Sequence, residues 1–207
     1  MKRNAVISAI VVALFAAALT LGPRAADPAD ASEAGAGTAS TAGRLVRADS
    51  HRLGPAGTGK AVLVEFLDFE CESCRAAYPV VEDLRAKYAG KVDFVVRYFP
   101  IPSHANAVNS AVAVEAAAQQ GKFEAMYQRM YDTQDQWGEQ QDSKAAVFRG
   151  FAEDLGLDMA AYDKAVADPA TAARVERDRQ DGLALGVQGR SGRTDLILET
   201  MLGVYNP

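Results

Sequence analysis

The sequence predicts an α/β fold carrying an inserted helical subdomain, and three observations lead there. Two stretches rich in β-branched and aromatic residues, "AVLVEFLDF" (Ala61–Phe69) and "KVDFVVRYF" (Lys91–Phe99), read as strands, with a helical pattern between them. A long block of helical patterns follows the second strand. The stretch after Gly189 holds one weak strand pattern, which leaves the C-terminal side of the sheet incomplete.

Taken in chain order, Lys2 and Arg3 precede an apolar run from Ala5 to Leu21, broken only by Ser8 and Thr20. Residues 1–21 therefore read as a signal peptide or a membrane anchor, the retained anchor being favoured, with the positive end inside and the remainder exported. Residues 22–43 are rich in Ala, Gly, Ser, Thr and Asp and carry no large apolar side chain. Such a stretch cannot bury a core and reads as a flexible tether. The folded domain is then 44–207.

Within it, Ala61–Phe69 is almost continuously apolar, as a strand buried on both faces is. The following "CRAAYPVVEDLRAKY" has helical spacing, with Ala77, Val80, Val81, Leu84 and Tyr88 forming the expected inner stripe and Pro79 expected to kink it. Lys91–Phe99 completes a right-handed βαβ unit. Helical patterns then fill about 104–186. Asn106–Gln120 is Ala-rich, and Phe123, Met126, Tyr127, Met130 and Tyr131 repeat as a core-facing helix does. Val147, Phe148, Phe151 and Leu155 mark another helix, stopped at Gly156. Asp158 reads as the N-cap of a short helix through Ala167, and Asp168–Pro169 as the cap and first residue of a helix to about Gly186. On that last helix the i, i+4 pairs Arg174–Asp178 and Arg177–Asp181 read as its solvated face.

Composition narrows the function. Of 207 residues 49% are hydrophobic, enough for a sizeable core without covalent staples, and the net charge of −5 with no basic run argues against nucleic acid as a partner. "GPAGTGKA" (Gly54–Ala61) matches a phosphate loop by spacing. However, Ala61 stands where Ser or Thr would hold magnesium, and the segment runs into a strand instead of a helix. It is a turn.

The two cysteines, Cys71 and Cys74 in "FECESCRAAY", carry the chemistry. As a staple they would close too short a loop to constrain the unfolded chain. As a metal site they lack company: there is no second CxxC and only His51 and His104 could add ligands, leaving a zinc shared across a dimer as the residual metal reading. As a redox pair they are well placed. Cys71 falls where strand gives way to helix, so unpaired amides and the helix dipole favour its thiolate. Cys74 lies one turn further in, more buried, positioned to attack a mixed disulfide at Cys71.

"VLVEFLDFECESC" resembles the active-site segment of thioredoxin-fold proteins, and "RYFPIPSHANAVNSAVAVEAAAQQGKFEAMYQRMY" resembles the DsbA-like family of exported oxidoreductases. The likeness runs from about Leu45 to Gly189. It implies a thioredoxin-like fold, thiol–disulfide exchange through a redox-active Cys71–Cys74 disulfide, and no prosthetic group or metal. It also implies Cys71 as attacking thiol and Cys74 as resolving thiol. Glu65, six residues before Cys71, matches the buried acid this fold keeps beneath the site, and apolar surroundings would raise its pKa so that it exchanges a proton with Cys74. Glu70 and Glu72 flank Cys71 and are expected to oppose its thiolate, making a milder oxidant. His104 matches a position often filled by histidine, but capping the helix after "FPIPS" is the expected job.

The tail departs from the family. Where relatives follow a segment like "GVQG" with a residue and a cis-proline facing the cysteines, this chain reads "GVQGRSGRTDLILET". Likeness stops at Gly189, as a shifted reading frame or true divergence would leave it. Thr194–Thr200 is the expected strand there, with Arg190 and Ser191 facing Cys71. The functional expectation is an exported thiol–disulfide oxidoreductase tethered to the outer face of the cytoplasmic membrane, or secreted or periplasmic if the signal is cleaved. It would act on cysteines of exported proteins and be reset by a membrane or extracytoplasmic redox partner. The alternative is a catalytically impaired member serving as a binding module or having no function.

Overall fold

The computed structural model describes residues 41–58, 61–188 and the backbone of 202–205. The expected anchor, most of the tether, Thr194–Thr200 and the Arg190–Ser191 placement lie outside these residues.

Among the described residues four strands form one sheet in the order β1-β3-β2-β4. At its centre β2 (Val62–Leu67) and β3 (Asp93–Tyr98) run parallel, Val62 opposite Asp93 and Leu67 opposite Tyr98. Every residue of both is buried, as their apolar runs require. The short β1 (His51–Leu53), which no periodicity announces, pairs antiparallel with β3. On the other side β4 (Leu202–Tyr205) pairs antiparallel with β2, from Val62↔Tyr205 to Glu65↔Leu202.

Helix α1 (Glu72–Lys87) joins β2 to β3 and runs through Pro79 as one element. Its inner stripe differs from the expected one. Cys74 and Val81 are buried and Tyr78 and Leu84 half-buried, whereas Val80 and Tyr88 face solvent. The inward line thus starts at Cys74, whose buried thiol packs as a small apolar side chain.

The insertion comprises α2 (Ala107–Ala118), α3 (Phe123–Asp132), the single turn α4 (Gln134–Trp137), α5 (Ala145–Asp154), α6 (Met159–Ala167) and α7 (Pro169–Ala184). All five apolar residues of the α3 pattern are buried. Asp158 and Asp168 cap α6 and α7, accepting from the amides of Ala161 at 3.0 Å and Ala170 at 2.8 Å. Helix α7 packs on β3 and α2. Its Gly182 permits this: a Cβ there would sit 2.7 Å from the Phe99 ring and 3.0 Å from that of Phe66. The segment from Gly54 to Thr58 leads into the sheet, and a Cβ at Gly57 would meet the Val92 backbone at 2.7 Å. Packing, not phosphate, accounts for that glycine.

The charged pairs of α7 correct the sequence reading. Asp178 is fully buried and Asp181 and Arg174 nearly so. Asp181 pairs with Arg97 at 2.7 Å, Arg47 at 2.5 Å and Arg44 at 3.3 Å, while Arg177 turns to Asp49. Spacing at i, i+4 states that two charges are neighbours; it does not state which side of the helix they occupy. Here the carboxylates face Arg97, near the C-terminal end of β3.

Candidate active site

β2 ends at Leu67, and the four residues before α1 turn the chain so that Cys71 becomes the helix N-cap, with φ −72° and ψ 120°. The turn is held at several points. The Asp68 carbonyl accepts from the Cys71 amide at 3.2 Å. The Asp68 carboxylate accepts from the amides of Glu70 and Ile101, each at 2.8 Å, and faces His104 Nδ1 at 2.8 Å. Gln134 Nε2 donates to the carbonyls of Phe69 at 2.6 Å and Cys71 at 3.1 Å. Asp68, Gln134 and the His104 pairing escape a reading by motif, since their partners lie on other elements. The one local signal is an acid placed directly at the end of an apolar strand.

Cys71 and Cys74 stand as a dithiol, and both are buried, Cys71 at 3% exposure. Gln134 of the insertion lies against the loop that carries Cys71, through the Phe69 and Cys71 carbonyls. The two thiols are driven apart in acidity. A hydrogen bond from Cys74 to its sulfur lowers Cys71 from the usual 9.0 to about 6, aided by the amides of Cys74 and Ser73 and opposed by burial and Asp68. Cys74 is pushed well above its ordinary value by that same bond, by burial and by the charge at Cys71. The carboxylate opposing the Cys71 thiolate is Asp68. Glu70 is buried with its carboxylate on the Asn106 amide at 2.6 Å, and Glu72 is exposed.

Glu65 sits on the β2 face opposite Phe66, at 4% exposure, with Oε2 accepting no hydrogen bond. Burial raises it from 4.5 to about 7; the negative charge of Glu82 adds to this and Arg85 subtracts. Arg85 is itself held by Glu82 at 2.6 Å and by Glu124. Tyr78 of α1 and Tyr127 and Tyr131 of α3 pack together over this region, the Tyr78 and Tyr131 rings stacked at 5.1 Å. His104 is not a helix cap. The N-cap of α2 is Asn106, and the His104 ring faces Asp68. His51 lies apart, 2.6 Å from Glu115 and stacked on Phe123. Among the described residues no group of three or more His, Cys, Asp or Glu could hold a metal ion, and no helix is long and apolar enough to cross a membrane.

Comparison with known proteins agrees with this geometry. A thioredoxin family model matches residues 50–189, ending where the sequence likeness ends. A thioredoxin-like oxidoreductase from Silicibacter pomeroyi DSS-3 superposes with a TM-score of 0.60 at 26% identity, covering 72% of this chain and 81% of its own. α-DsbA1 from Wolbachia pipientis gives 0.63 at 17% identity over 73% and 76%, and BdbD from Bacillus subtilis 0.59 at 15% over 75% and 80%. The Na(+)/H(+) antiporter NhaA of Herminiimonas arsenicoxydans is 34% identical over 136 residues, 66% of this chain and 20% of that protein. The chain thus spans about a fifth of the length of the curated relatives it matches. With two thirds of its length matched by the family model, the chain belongs to the thioredoxin family, and its fold is that of the DsbA-like thiol–disulfide oxidoreductases.

Proposed function

We propose that this chain exchanges disulfides with cysteines of exported proteins through the Cys71–Cys74 pair. The observation that carries this reading is the opposed acidity of two adjacent thiols at a helix N-terminus, which separates an attacking sulfur from a resolving one. In the reducing sense, the Cys71 thiolate attacks a substrate S–S bond, forming a mixed disulfide and releasing one substrate thiolate. Cys74 gives its proton to the Glu65 carboxylate, then attacks Cys71 Sγ. The Cys71–Cys74 disulfide closes and the second substrate sulfur leaves. The substrate gains two electrons and the pair loses two. The oxidising sense is the reverse, with Glu65 returning the proton to Cys74. An acid held near 7 can do either at neutral pH. A membrane or extracytoplasmic redox partner resets the pair. The apolar run after Lys2 and Arg3 supports an exported domain tethered at the outer face of the cytoplasmic membrane.

Brief alkylation of the reduced chain followed by peptide mapping tests the roles. Cys71 is expected to label with a rate midpoint near pH 6 and Cys74 to stay silent at neutral pH; equal labelling would overturn the assignment. Insulin reduction and oxidation of reduced RNase test the activity. A chain inert in both would favour the impaired binding module, a reading supported by "GVQG" being followed by Arg190 and Ser191 where relatives carry a proline.

A further inference from the structure

We propose that His104 is a positioning residue for the reactive cysteine: its imidazolium balances the buried Asp68 carboxylate beside Cys71 and keeps the Cys71 sulfur in its thiolate form. The inference rests on the thiol exchange proposed above.

Asp68 is the junction of the site. Its side chain is wholly buried, accepts from two backbone amides, and meets His104 at 2.8 Å, while its own carbonyl takes the Cys71 amide. Its negative charge lies next to a sulfur that must itself become negative, and it opposes that change. Something has to offset it. The groups facing His104 are Asp68 at the end of β2, then Glu70 and Cys71 on the loop, and all three favour the imidazolium. The bond to Asp68 is the largest of these effects and outweighs burial, so His104 titrates above its ordinary value. Its side chain is 19% exposed, enough to exchange a proton with solvent. The cation thus sits on the carboxylate, and the carboxylate sits on the loop that carries Cys71.

Two variants of the full chain and one measurement without a variant test this. His104→Gln keeps a donor for Asp68 but removes the charge. The alkylation-rate midpoint of Cys71 should rise by roughly one pH unit, read as an about tenfold slower reaction at pH 5. Adding Asp68→Asn to His104→Gln should return the midpoint toward its original position, because the charge to be balanced is gone. A histidine that merely packs would change the melting temperature and leave the midpoint alone. The reciprocal effect is read in the unaltered protein by NMR: the His104 imidazole should titrate at higher pH in the dithiol form than in the disulfide form. An unmoved Cys71 midpoint in His104→Gln, or identical His104 titrations in the two redox states, would overturn this inference alone. A Cys71 inert in the unaltered protein would overturn the thiol-exchange reading and this inference with it.

Discussion

Arg97→Met is expected to cost the fold about 3–5 kcal/mol, a large part of the ~5–15 kcal/mol that a domain holds. The guanidinium has no exposure at all. It meets Asp178 at 2.8 Å and Asp181 at 2.7 Å, donates to the carbonyls of Arg44 and Leu45, and lies over the Phe66 ring. Removing it takes an arginine away from each of two interior carboxylates. Asp178 keeps Arg174 at 2.6 Å and the Tyr98 amide at 3.2 Å, and Asp181 keeps Arg47, but neither carboxylate can return to water without moving α7. The penalty is thus two buried carboxylates left with less compensating charge, more than the lost bonds themselves. Adding Asp178→Asn to Arg97→Met should accordingly recover part of the loss. Urea unfolding of the three proteins checks this. A cost below about 1 kcal/mol for Arg97→Met would show that water reaches these carboxylates.

Glu65→Gln is expected to move activity and stability in opposite directions. Release of substrate from the mixed disulfide should slow by up to ~10²-fold, because an amide cannot accept the Cys74 proton, while the first attack by Cys71 is nearly unchanged. Stability should rise at neutral and alkaline pH. The sign follows from burial. The carboxyl is raised in the folded protein from 4.5 to about 7, so the folded chain holds its proton longer than the unfolded chain does. Its contribution is fully present below pH 4.5 and is lost as pH rises through about 7. Glutamine has nothing to ionise. The variant should therefore gain up to about 3 kcal/mol at pH 8, with the gain vanishing in acid. Unaltered turnover would make Glu65 a structural acid only, and a stability difference that ignores pH would show that the carboxyl is solvated.

What could be read from the sequence is what each segment does against its own neighbours. The α3 stripe, the caps Asp158 and Asp168, both central strands and the CxxC at a strand–helix junction all follow from local spacing, and the structure contains them. Glu65 is marked by the family resemblance, not by spacing, and the structure buries it. The rest depends on partners far along the chain. Arg44 and Asp181 are 137 positions apart, and Gln134 lies 63 positions from Cys71. No periodicity encodes such a meeting. The α7 pairs show the limit most clearly: Arg174 and Asp178 meet as their spacing predicts, Arg177 and Asp181 take partners elsewhere, and both carboxylates are buried where a solvated face is expected.

The grip of Gln134 on the carbonyls of Phe69 and Cys71 has a dynamic consequence. A loop whose carbonyls are bonded by a side chain from the inserted helices cannot loosen by itself. Its opening is tied to the departure of α4, whose Trp137 is buried edge-on against Phe148 of α5. Amides around the two cysteines should then share the exchange lifetime of that helical unit instead of behaving as an ordinary surface turn. A minimal protein made by excising the insertion would keep its CxxC and lose the latch that times its motion.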